Sequence, residues 1–426
     1  MKKIFIALLT IFVAASSVLL SSCEQKVRFI KFNDFVFGIG SKQISLNATL
    51  YGTNRNNLIK AKDEILNTLK SLNSELNTVD EDSVIYKFNN YGLDGQEFNP
   101  QTKFYVSEHV YHMLSLAKDL HENKDGKGAI EGLGNAFELF NPAVYPLMEL
   151  WGLDAKNIKN IHFDLNRQRT IPSPAQINEV LPYINLNAVN IGKDNKGYFI
   201  QKTQKEIKID FGAQAKGYGA DLAVKICGKY RLKSAVIDIG GNVYVYKSKP
   251  MSDGASQKFT VGVKMPDLNA TNNFCALLAE DTSLVTSGDY VRYFPYDILG
   301  EDEKVLRKIK YAHILNPKTG LPVNINRTEG DNTFEDFNDE HGLTSVTVIH
   351  KSSELSDIYA TIVMLLGLEN GIKFMENNGL SGILISHDKF YAVVGDNIER
   401  FDHALAKGFE DYRPYVLNGK TYSFKS

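Results

Sequence analysis

The sequence predicts an α+β fold in which helices and a mixed sheet share one core, within one large domain or two interleaved lobes. The 426 residues are 43% hydrophobic and 23% charged, which is typical of a globular chain with a sizeable core. The spacing of apolar residues switches repeatedly between a period of two and a period of about 3.6, as it does where strands and helices alternate. No internal repeat stands out in the sequence.

The charge balance argues against nucleic acid as a partner. Lys and Arg number 48 and Asp and Glu number 50, which leaves a formal net charge of −2. A surface that binds a phosphate backbone needs an excess of basic residues. We therefore predict no nucleic-acid binding.

Residues 1–22 are predicted to be a signal peptide that is not part of the fold. Two lysines follow Met1, residues 4–20 are almost all apolar or small, and Leu-Ser-Ser precedes Cys23. This arrangement resembles the lipobox of bacterial lipoproteins, which implies cleavage before Cys23 and lipidation of that cysteine. The expected product is lipid-anchored to a bacterial membrane and faces the periplasm or the exterior. The alternative, an N-terminal transmembrane anchor, gives the same orientation.

We divide the mature chain into a tether at 23–36, a main domain at 37–400 and a C-terminal extension at 401–426. Two cysteines, Cys227 and Cys275, lie in the main domain. In a compartment that is oxidising they could form a disulfide, and otherwise they stay free and buried. The sequence leaves both states open.

The apolar pattern predicts a strand over 44–50, a helix over 58–76 and a second helix over 106–120. A strand-like run at Ile207–Ile209 leads into a third helical pattern. Further strands are predicted at Ala235–Ile239, Val243–Tyr246, Phe259–Val263 and Thr344–Ile349, and as a hairpin at Gly382–Ser386 and Phe390–Val394. Two polar stretches, Glu301–Lys310 and Asn326–His341, are expected to be surface insertions.

The first candidate site is the run DFGAQAKGYGAD at 210–221. Glycines at the junction of a strand and a helix let backbone groups approach a ligand, and the helix N-terminus favours anions. Asp210 could bind a sugar or a base, and Lys216 could bind a phosphate. The alternative is a turn that serves only tight packing, because the run matches neither a P-loop nor a full dinucleotide fingerprint.

The second candidate site lies in a helical pattern that contains Asp357 and Thr361. Residues four apart share one face of a helix, so a carboxylate and a hydroxyl would lie on adjacent turns. Two such oxygens suit Mg²⁺, which completes its shell with waters and substrate phosphates. The alternative is a helix start in which Ser356 or Asp357 is only the N-cap.

The third candidate site combines TSGDY at 286–290 with AHILNPKTGLP at 312–322. His313 could act there as a base or as an orienting donor, and the alternative is a purely structural turn. The sequence shows no Cys/His pair at zinc spacing and no Gly-x-Ser-x-Gly elbow, so a hydrolase triad is poorly supported.

In this order, the motifs resemble those of the ApbE family, the periplasmic FAD:protein FMN transferases. The resemblance spans residues from about 37 to about 396. Its markers are DSVIYKFN at 82–89, FNPAVYPL at 140–147 followed by LWG, the AKGY turn at 215–218, TSGDY, HxxxPxTGxP from His313 and DxxxT from Asp357. The implied fold is the T-fold-like domain of that family.

The resemblance implies an enzyme that binds FAD with Mg²⁺, cleaves the pyrophosphate, and transfers FMN to a threonine or serine of an exported or membrane-associated flavoprotein. It places Mg²⁺ on the Ala213 carbonyl, Asp357 and Thr361. It places FAD beside a larger set of residues, namely Ile39, Leu139, Phe140, Asn141, Asp210, Lys216 and Leu315. Lys216 would stabilise the charge on phosphorus, and His313, or in its place Asp289, would deprotonate the acceptor hydroxyl.

The chain departs from the family pattern at several positions. Asn141 and Asn316 stand where the family has Asp, and Val79 stands where an aromatic residue commonly packs the flavin. Because the three metal-binding positions are intact, we interpret these changes as altered affinity. Two other functions remain open, an FAD pyrophosphatase that releases FMN and AMP, and a non-enzymatic FAD-binding lipoprotein.

Overall fold

The structure is a computed structural model that describes residues 26–39, 42–154, 171–266, 273–290, 292–299, 305–327, 334–336, 342–386, 389–393, 403–405 and 415–416. The strands are β1 (Arg28–Ile39), β2 (Lys42–Gly52), β3 (Phe104–Val106), β4 (Ala129–Ile130), β5 (Gly134–Asn135), β6 (Val189–Asp194), β7 (Gly197–Lys202), β8 (Ser234–Ile239), β9 (Asn242–Tyr246), β10 (Lys249–Pro250), β11 (Ser256–Gln257), β12 (Phe259–Lys264), β13 (Asn273–Ala279), β14 (Thr282–Gly288), β15 (Tyr293–Leu299), β16 (Val305–Ala312), β17 (Ile325–Arg327), β18 (Phe334–Asp336), β19 (Ser345–His350), β20 (Ser381–Ser386), β21 (Lys389–Val393), β22 (His403–Leu405) and β23 (Tyr415–Val416). The α-helices are α1 (Arg55–Leu76), α2 (Val84–Asn90), α3 (Glu108–Glu122), α4 (Tyr145–Leu150), α5 (Pro174–Val180), α6 (Ala215–Lys229) and α7 (Ser353–Asn377). The predicted signal peptide and Cys23 lie outside the described residues.

The central element is a nine-stranded sheet with the order β1-β2-β8-β9-β14-β19-β20-β21-β23. Its pairs are antiparallel except for the last, β21 with β23. Side chains of successive residues point to opposite faces of a strand, so the apolar strands supply two cores.

Three helices, α1, α6 and α7, cover one face of this sheet. The buried positions of α1 recur at helical spacing from Leu58 to Leu72. They belong to the same apolar cluster as Ala235, Ile237 and Ile239 of β8. Asn54 caps α1 by accepting hydrogen bonds from the N–H groups of residues 56 and 57.

The opposite face packs against a three-stranded sheet, β12-β13-β22. Phe259 and Phe274 of this small sheet share an apolar cluster with Leu284, Ile349 and Ile383 of the central sheet. The described chain is therefore layered as helices, large sheet and small sheet, an α+β arrangement in agreement with the prediction.

Most predicted elements are confirmed. The strands predicted around 44–50, 235–239, 243–246, 259–263 and 344–349 are β2, β8, β9, β12 and β19. The predicted hairpin is the antiparallel pair of β20 and β21, although its turn at 387–388 lies outside the described residues. Among the described residues, helix α7 is long and apolar enough to cross a membrane, but 61% of its apolar stretch is buried inside the protein, as in the core helix of a globular protein.

Described strands lie beyond both predicted boundaries of the main domain, at 37 and at 400. Residues 28–36, assigned to a tether, belong to β1, which pairs with β2 and buries Val36. Beyond residue 400, β22 pairs with β13 and β23 pairs with β21. β1 and β23 form the two edges of the central sheet, and β22 forms one edge of the small sheet.

The run Ile207–Ile209 is not a strand. The carboxamide of Asn89 replaces a neighbouring strand, because it donates to the Ile209 carbonyl at 2.9 Å and accepts from the Ile209 N–H at 2.8 Å. The buried Lys202 ammonium donates to the Ile207 carbonyl at 3.2 Å. Buried backbone groups need partners, and here side chains supply them.

The predicted surface insertions are also partly wrong. The second half of Glu301–Lys310 belongs to β16, which pairs with β15 and buries Ile309. The ends of β17 and β18 fall within Asn326–His341, and most of that stretch lies outside the described residues. Cys227 on α6 and Cys275 on β13 are both buried and free, so they do not form a disulfide in this structure.

Candidate active site

The candidate site forms where the first turn of α6 meets the first two turns of α7. Gly217 makes this approach possible, since a Cβ on it would overlap the backbone of Ser353. Asp221 of α6 caps α7 by accepting from the Ser352 hydroxyl, the Ser353 N–H and the Glu354 N–H, at 2.8, 2.8 and 3.1 Å. The N-cap residue of α7 is Ser352, so neither Ser356 nor Asp357 has the capping role of the alternative interpretation.

Asp357 is the buried carboxylate of this junction, with only 2% of its surface exposed. Both its oxygens lie 3.2 Å from the Lys216 ammonium, and one accepts from the Gly217 N–H at 3.0 Å. Lys216 also donates to the Gly212 carbonyl at 3.1 Å. The structure thus brings the predicted lysine and carboxylate together across two helices.

The other two predicted metal-binding groups lie beside this pair. Thr361 is one turn further along α7, and its hydroxyl donates to the Asp357 carbonyl at 3.1 Å. Ala213 lies in the turn before α6. Its carbonyl accepts no hydrogen bond from the described residues, because the Gly217 N–H four residues later donates to Asp357 instead.

This donor set fits a hard divalent cation. Carboxylate, hydroxyl and carbonyl oxygens are the ligands that Mg²⁺ takes, with waters or phosphates beside them. The Lys216 ammonium already rests against a turn carbonyl and the Asp357 carboxylate, so the junction suits positive charge. Within the described ranges, no group of three His, Cys, Asp or Glu side chains could hold a metal. A cation at this junction would therefore also need the Thr361 hydroxyl and the Ala213 carbonyl as ligands.

Asp210 lies at the entrance to the same turn. One of its oxygens accepts from the Gly212 N–H at 2.7 Å. Burial raises the pKa of the Asp210 carboxyl, while the Gly212 N–H and the charges of Arg292 and Lys216 oppose that rise. Arg292 is therefore a further cation of the site, which the sequence interpretation missed; its position two residues after TSGDY was the available signal.

His313 joins the site through the backbone of Arg292. The Arg292 carbonyl accepts from the His313 N–H at 3.0 Å and from ring Nδ1 at 3.1 Å. The tautomer with hydrogen on Nδ1 leaves Nε2 with a free lone pair. Burial, together with the charges of Arg292 and Lys216, lowers the pKa of His313 to about 3, so its imidazole is neutral near pH 7.

The segment predicted to contact FAD runs alongside this turn. The Pro142 carbonyl accepts from the Asp210 N–H at 2.8 Å, and the Phe140 carbonyl accepts from His121 Nε2 at 2.7 Å. The side chains of Leu139 and Phe140 are buried in the main core. The segment is thus held against the turn that carries Asp210.

Asn141 lines a cavity of about 470 Å³ together with residues of three neighbouring segments, namely Lys118, His121, Glu122, Glu138, Ile184, Asn185, Leu186, Asn187, Pro317 and Lys318. Its side-chain oxygen accepts from the Ala143 N–H, and its amide donates to the Ile184 carbonyl at 3.2 Å. An aspartate could not make the second bond, which gives the asparagine at this position a structural reason.

Asn316 and Leu315 serve the neighbouring turn. The Asn316 side chain accepts from the N–H groups of Lys318 and Thr319, as a carboxylate in its place also could. Leu315 is buried in a cluster that also contains Leu147 and Trp151. Trp151 donates its indole N–H to the Gly320 carbonyl at 2.8 Å, which ties the LWG motif to this turn.

Three further residues singled out in the sequence are Asp289, Ile39 and Val79. Asp289, the substitute base, is buried and pairs with Lys310 at 2.8 Å while Asn324 donates to its other oxygen. Such pairing leaves it poorly suited to accept a proton. Ile39 ends β1 opposite Lys42, and its side chain lies outside what the structure describes. Val79 is partly buried after α1.

The fold and these contacts define an α+β protein in which a buried carboxylate, a lysine ammonium and a glycine-containing turn meet between two helices. The chain belongs to the ApbE family, whose sequence model matches residues 43–384. The predicted family is thereby confirmed.

Two curated relatives and two solved structures illustrate the likeness. The FAD:protein FMN transferase of Treponema pallidum is 29% identical over 258 residues, which cover 59% of this chain and 61% of that relative. That of Haemophilus influenzae is 22% identical over 387 residues, which cover 90% and 93%. The crystal structure of the apo flavinyl transferase ApbE of Pseudomonas stutzeri has a TM-score of 0.61 at 20% identity, covering 88% of this chain and 97% of its own. The flavin transferase ApbE from Vibrio cholerae has a TM-score of 0.60 at 19% identity, covering 91% and 100%. At such identities the structural matches establish the fold.

Proposed function

We propose that this protein is an Mg²⁺-dependent FAD:protein FMN transferase. The observation that carries the proposal is the junction of α6 and α7, where Asp357 and Lys216 meet a turn whose Ala213 carbonyl accepts no hydrogen bond from the part of the chain that the structure describes. A flavin-binding protein without chemistry would not need such a site. The names of the relatives support the activity, and the oxygen ligands support the metal.

The reaction breaks the phosphoanhydride bond of FAD and forms a phosphoester bond to the acceptor. The oxygen of an acceptor threonine or serine attacks the phosphorus on the FMN side of the pyrophosphate, the bond from that phosphorus to the bridging oxygen breaks, and AMP leaves. Asp357, Thr361 and the Ala213 carbonyl would hold Mg²⁺, which would neutralise phosphate charge when bound. Lys216 and Arg292 add positive charge beside the same turn, where they would stabilise negative charge on the oxygens of the reacting phosphoryl group.

His313 is proposed to take the proton of the acceptor hydroxyl at Nε2. Its Nδ1–H is fixed on the Arg292 carbonyl, which orients the ring and sets the tautomer. A pyrophosphate beside Arg292 and Lys216 would offset the two charges that lower the pKa of His313, and so would strengthen the base when substrate is present.

The FAD site is proposed to extend from the turn at Asp210 along Leu139–Asn141 towards Leu315, with Ile39 at its rim. We further propose that Cys23 is lipidated and that the enzyme is anchored to a bacterial membrane in the cell envelope. Its acceptor would be an exported or membrane-associated flavoprotein. These three statements rest on the sequence motifs.

Mass spectrometry tests the proposal. The protein is incubated with FAD, Mg²⁺ and an acceptor domain that carries the threonine motif of the family. We expect the acceptor to gain the mass of FMN, and we expect EDTA to prevent that gain. AMP and free FMN without labelling would instead indicate a pyrophosphatase, and intact FAD in every sample would indicate a binding protein.

A further inference from the structure

Gln214, the residue after Ala213, is fixed by a buried contact with α7. Its side chain is fully buried, and its amide Nε2 donates to the Met113 carbonyl at 3.1 Å and to Glu354 Oε1 at 2.8 Å. Its carbonyl oxygen Oε1 is buried without a hydrogen-bond partner among the described residues. Burying a polar oxygen without a hydrogen-bond partner costs free energy. This cost indicates that the position of the Gln214 side chain has a role.

Glu354 is itself held in place from three directions. Its backbone N–H donates to Asp221 of α6 at 3.1 Å. Its second carboxylate oxygen lies 2.9 Å from His112 Nε2, and only 5% of the residue is exposed. A carboxylate of α6 thus fixes the start of α7, and a carboxylate of α7 fixes the residue just before α6.

The two contacts set the spacing of the two halves of the cation site. Ala213 directly precedes Gln214, and Asp357 follows Glu354 by three residues on the same helix face. Any shift of the turn relative to α7 would therefore change the distance between the Ala213 carbonyl and the Asp357 carboxylate. We propose that Glu354 and Gln214 are positioning residues that set the affinity of the cation site, an inference that rests on the proposed function for the identity of that site.

The test measures cation binding directly, without turnover. Mn²⁺, a stand-in for Mg²⁺, is titrated into the full chain in detergent, and free Mn²⁺ is followed by electron paramagnetic resonance. We expect Glu354→Ala and Gln214→Met each to weaken Mn²⁺ binding by about 10–100-fold, the usual effect of removing an outer-shell partner. Glu354→Gln keeps an oxygen for the Gln214 amide and should stay within about threefold of the parent. The double variant Glu354→Ala/Gln214→Met should bind Mn²⁺ more tightly than the product of the two single effects predicts, because both variants remove the same contact between Gln214 and Glu354.

Glu64→Gln is the matched control. Glu64 accepts from Lys229 and Tyr230 at the far end of α6, so its loss should lower thermal stability without changing the Mn²⁺ affinity. If Glu354→Ala fails to fold, the Mn²⁺ affinities of Gln214→Met and Glu354→Gln test the positioning role.

The outcomes separate this inference from the proposed function. Folded Glu354→Ala and Gln214→Met proteins that bind Mn²⁺ as tightly as the parent would overturn the positioning role and leave the transferase proposal intact. A parent protein that binds no Mn²⁺ would overturn both the inference and the metal site. Weakened variants together with a parent that transfers no FMN would support the positioning role and refute the transferase.

Discussion

Asp357 is a buried carboxylate that contacts groups at the start of the neighbouring helix α6. It is buried, it accepts from a backbone N–H, and it pairs with Lys216. A buried charge is stable only with such partners, and a cation at the same place would serve equally well. The residue therefore has a structural role and a proposed ligand role at once.

Replacing Asp357 with Asn separates those two roles. The amide oxygen can still accept from the Gly217 N–H, but the negative charge is lost. We expect FMN transfer at saturating Mg²⁺ to fall by about 100-fold or more, since a bound metal stabilises the transition state by several kcal/mol. Glu376→Gln, an exposed change on the same helix, is the control. Transfer at the parental rate in the Asp357→Asn protein would refute the metal assignment.

The lowered pKa of His313 predicts how the free energy of unfolding depends on pH. Its pKa is lowered to about 3 in the folded chain, whereas a histidine in an unfolded chain has a pKa of about 6.5. Between these values the unfolded chain binds more protons, so this histidine lowers the free energy of unfolding as pH falls below about 6.5. We expect the thermal midpoint of the parent to drop more steeply from pH 7 to pH 5 than that of a His313→Asn variant. Parallel curves would contradict the buried, neutral state of this ring.

Among the elements, the segment at 207–209 shows how a side chain can take the place of a strand. Asn89 forms both hydrogen bonds with Ile209 that a neighbouring strand would have formed. The segment has no β-ladder and leads directly into Asp210 and the turn before α6. An element outside the sheet thereby sets the start of the site.

An Asn89→Ala variant tests whether the Asn89 side chain takes the place of a neighbouring strand. Both buried backbone groups of Ile209 would lose their partner, at a cost of about 1–3 kcal/mol for each unsatisfied group. We expect urea unfolding to show that the free energy of unfolding falls by about 2–4 kcal/mol. The neighbouring Asn90→Ala removes only a bond to Tyr86 within α2 and should cost less than about 1 kcal/mol. Equal losses in the two variants would argue against the role given to Asn89.

At the scale of the whole molecule, the layers keep Cys227 and Cys275 apart. Cys227, on α6, belongs to the apolar cluster on the helical side of the central sheet, and Cys275, on β13, belongs to the cluster between the two sheets. Burial raises the pKa of each thiol to about 12, so neither is a reactive thiolate.

This separation predicts how the thiols react. In a Cys23→Ser variant, we expect no rapid reaction of the native protein with a thiol reagent and two equivalents after unfolding in denaturant. A reducing agent should leave the thermal midpoint unchanged. Fewer than two thiols in the unfolded, unreduced protein would reveal a disulfide and contradict the layering.

The sequence by itself determined the α+β class, most strands and helices, the ApbE family and the residues of the proposed cation site. These features are local, because apolar periodicity and short motifs depend on neighbours in the chain. It also identified Lys216 and Asp357 as separate motifs, without any sign that they form a pair.

Only the tertiary structure decided which distant residues meet. The pairing of Lys216 with Asp357, the contact of Gln214 with Glu354, the place of Arg292 and the role of Asn89 all join segments more than about 50 residues apart. The boundaries of the domain were decided in the same way, since residues 28–36 and the strands beyond 400 find their partners at sheet edges. Periodicity cannot foresee such contacts, because burial and hydrogen bonding are satisfied in space rather than along the chain.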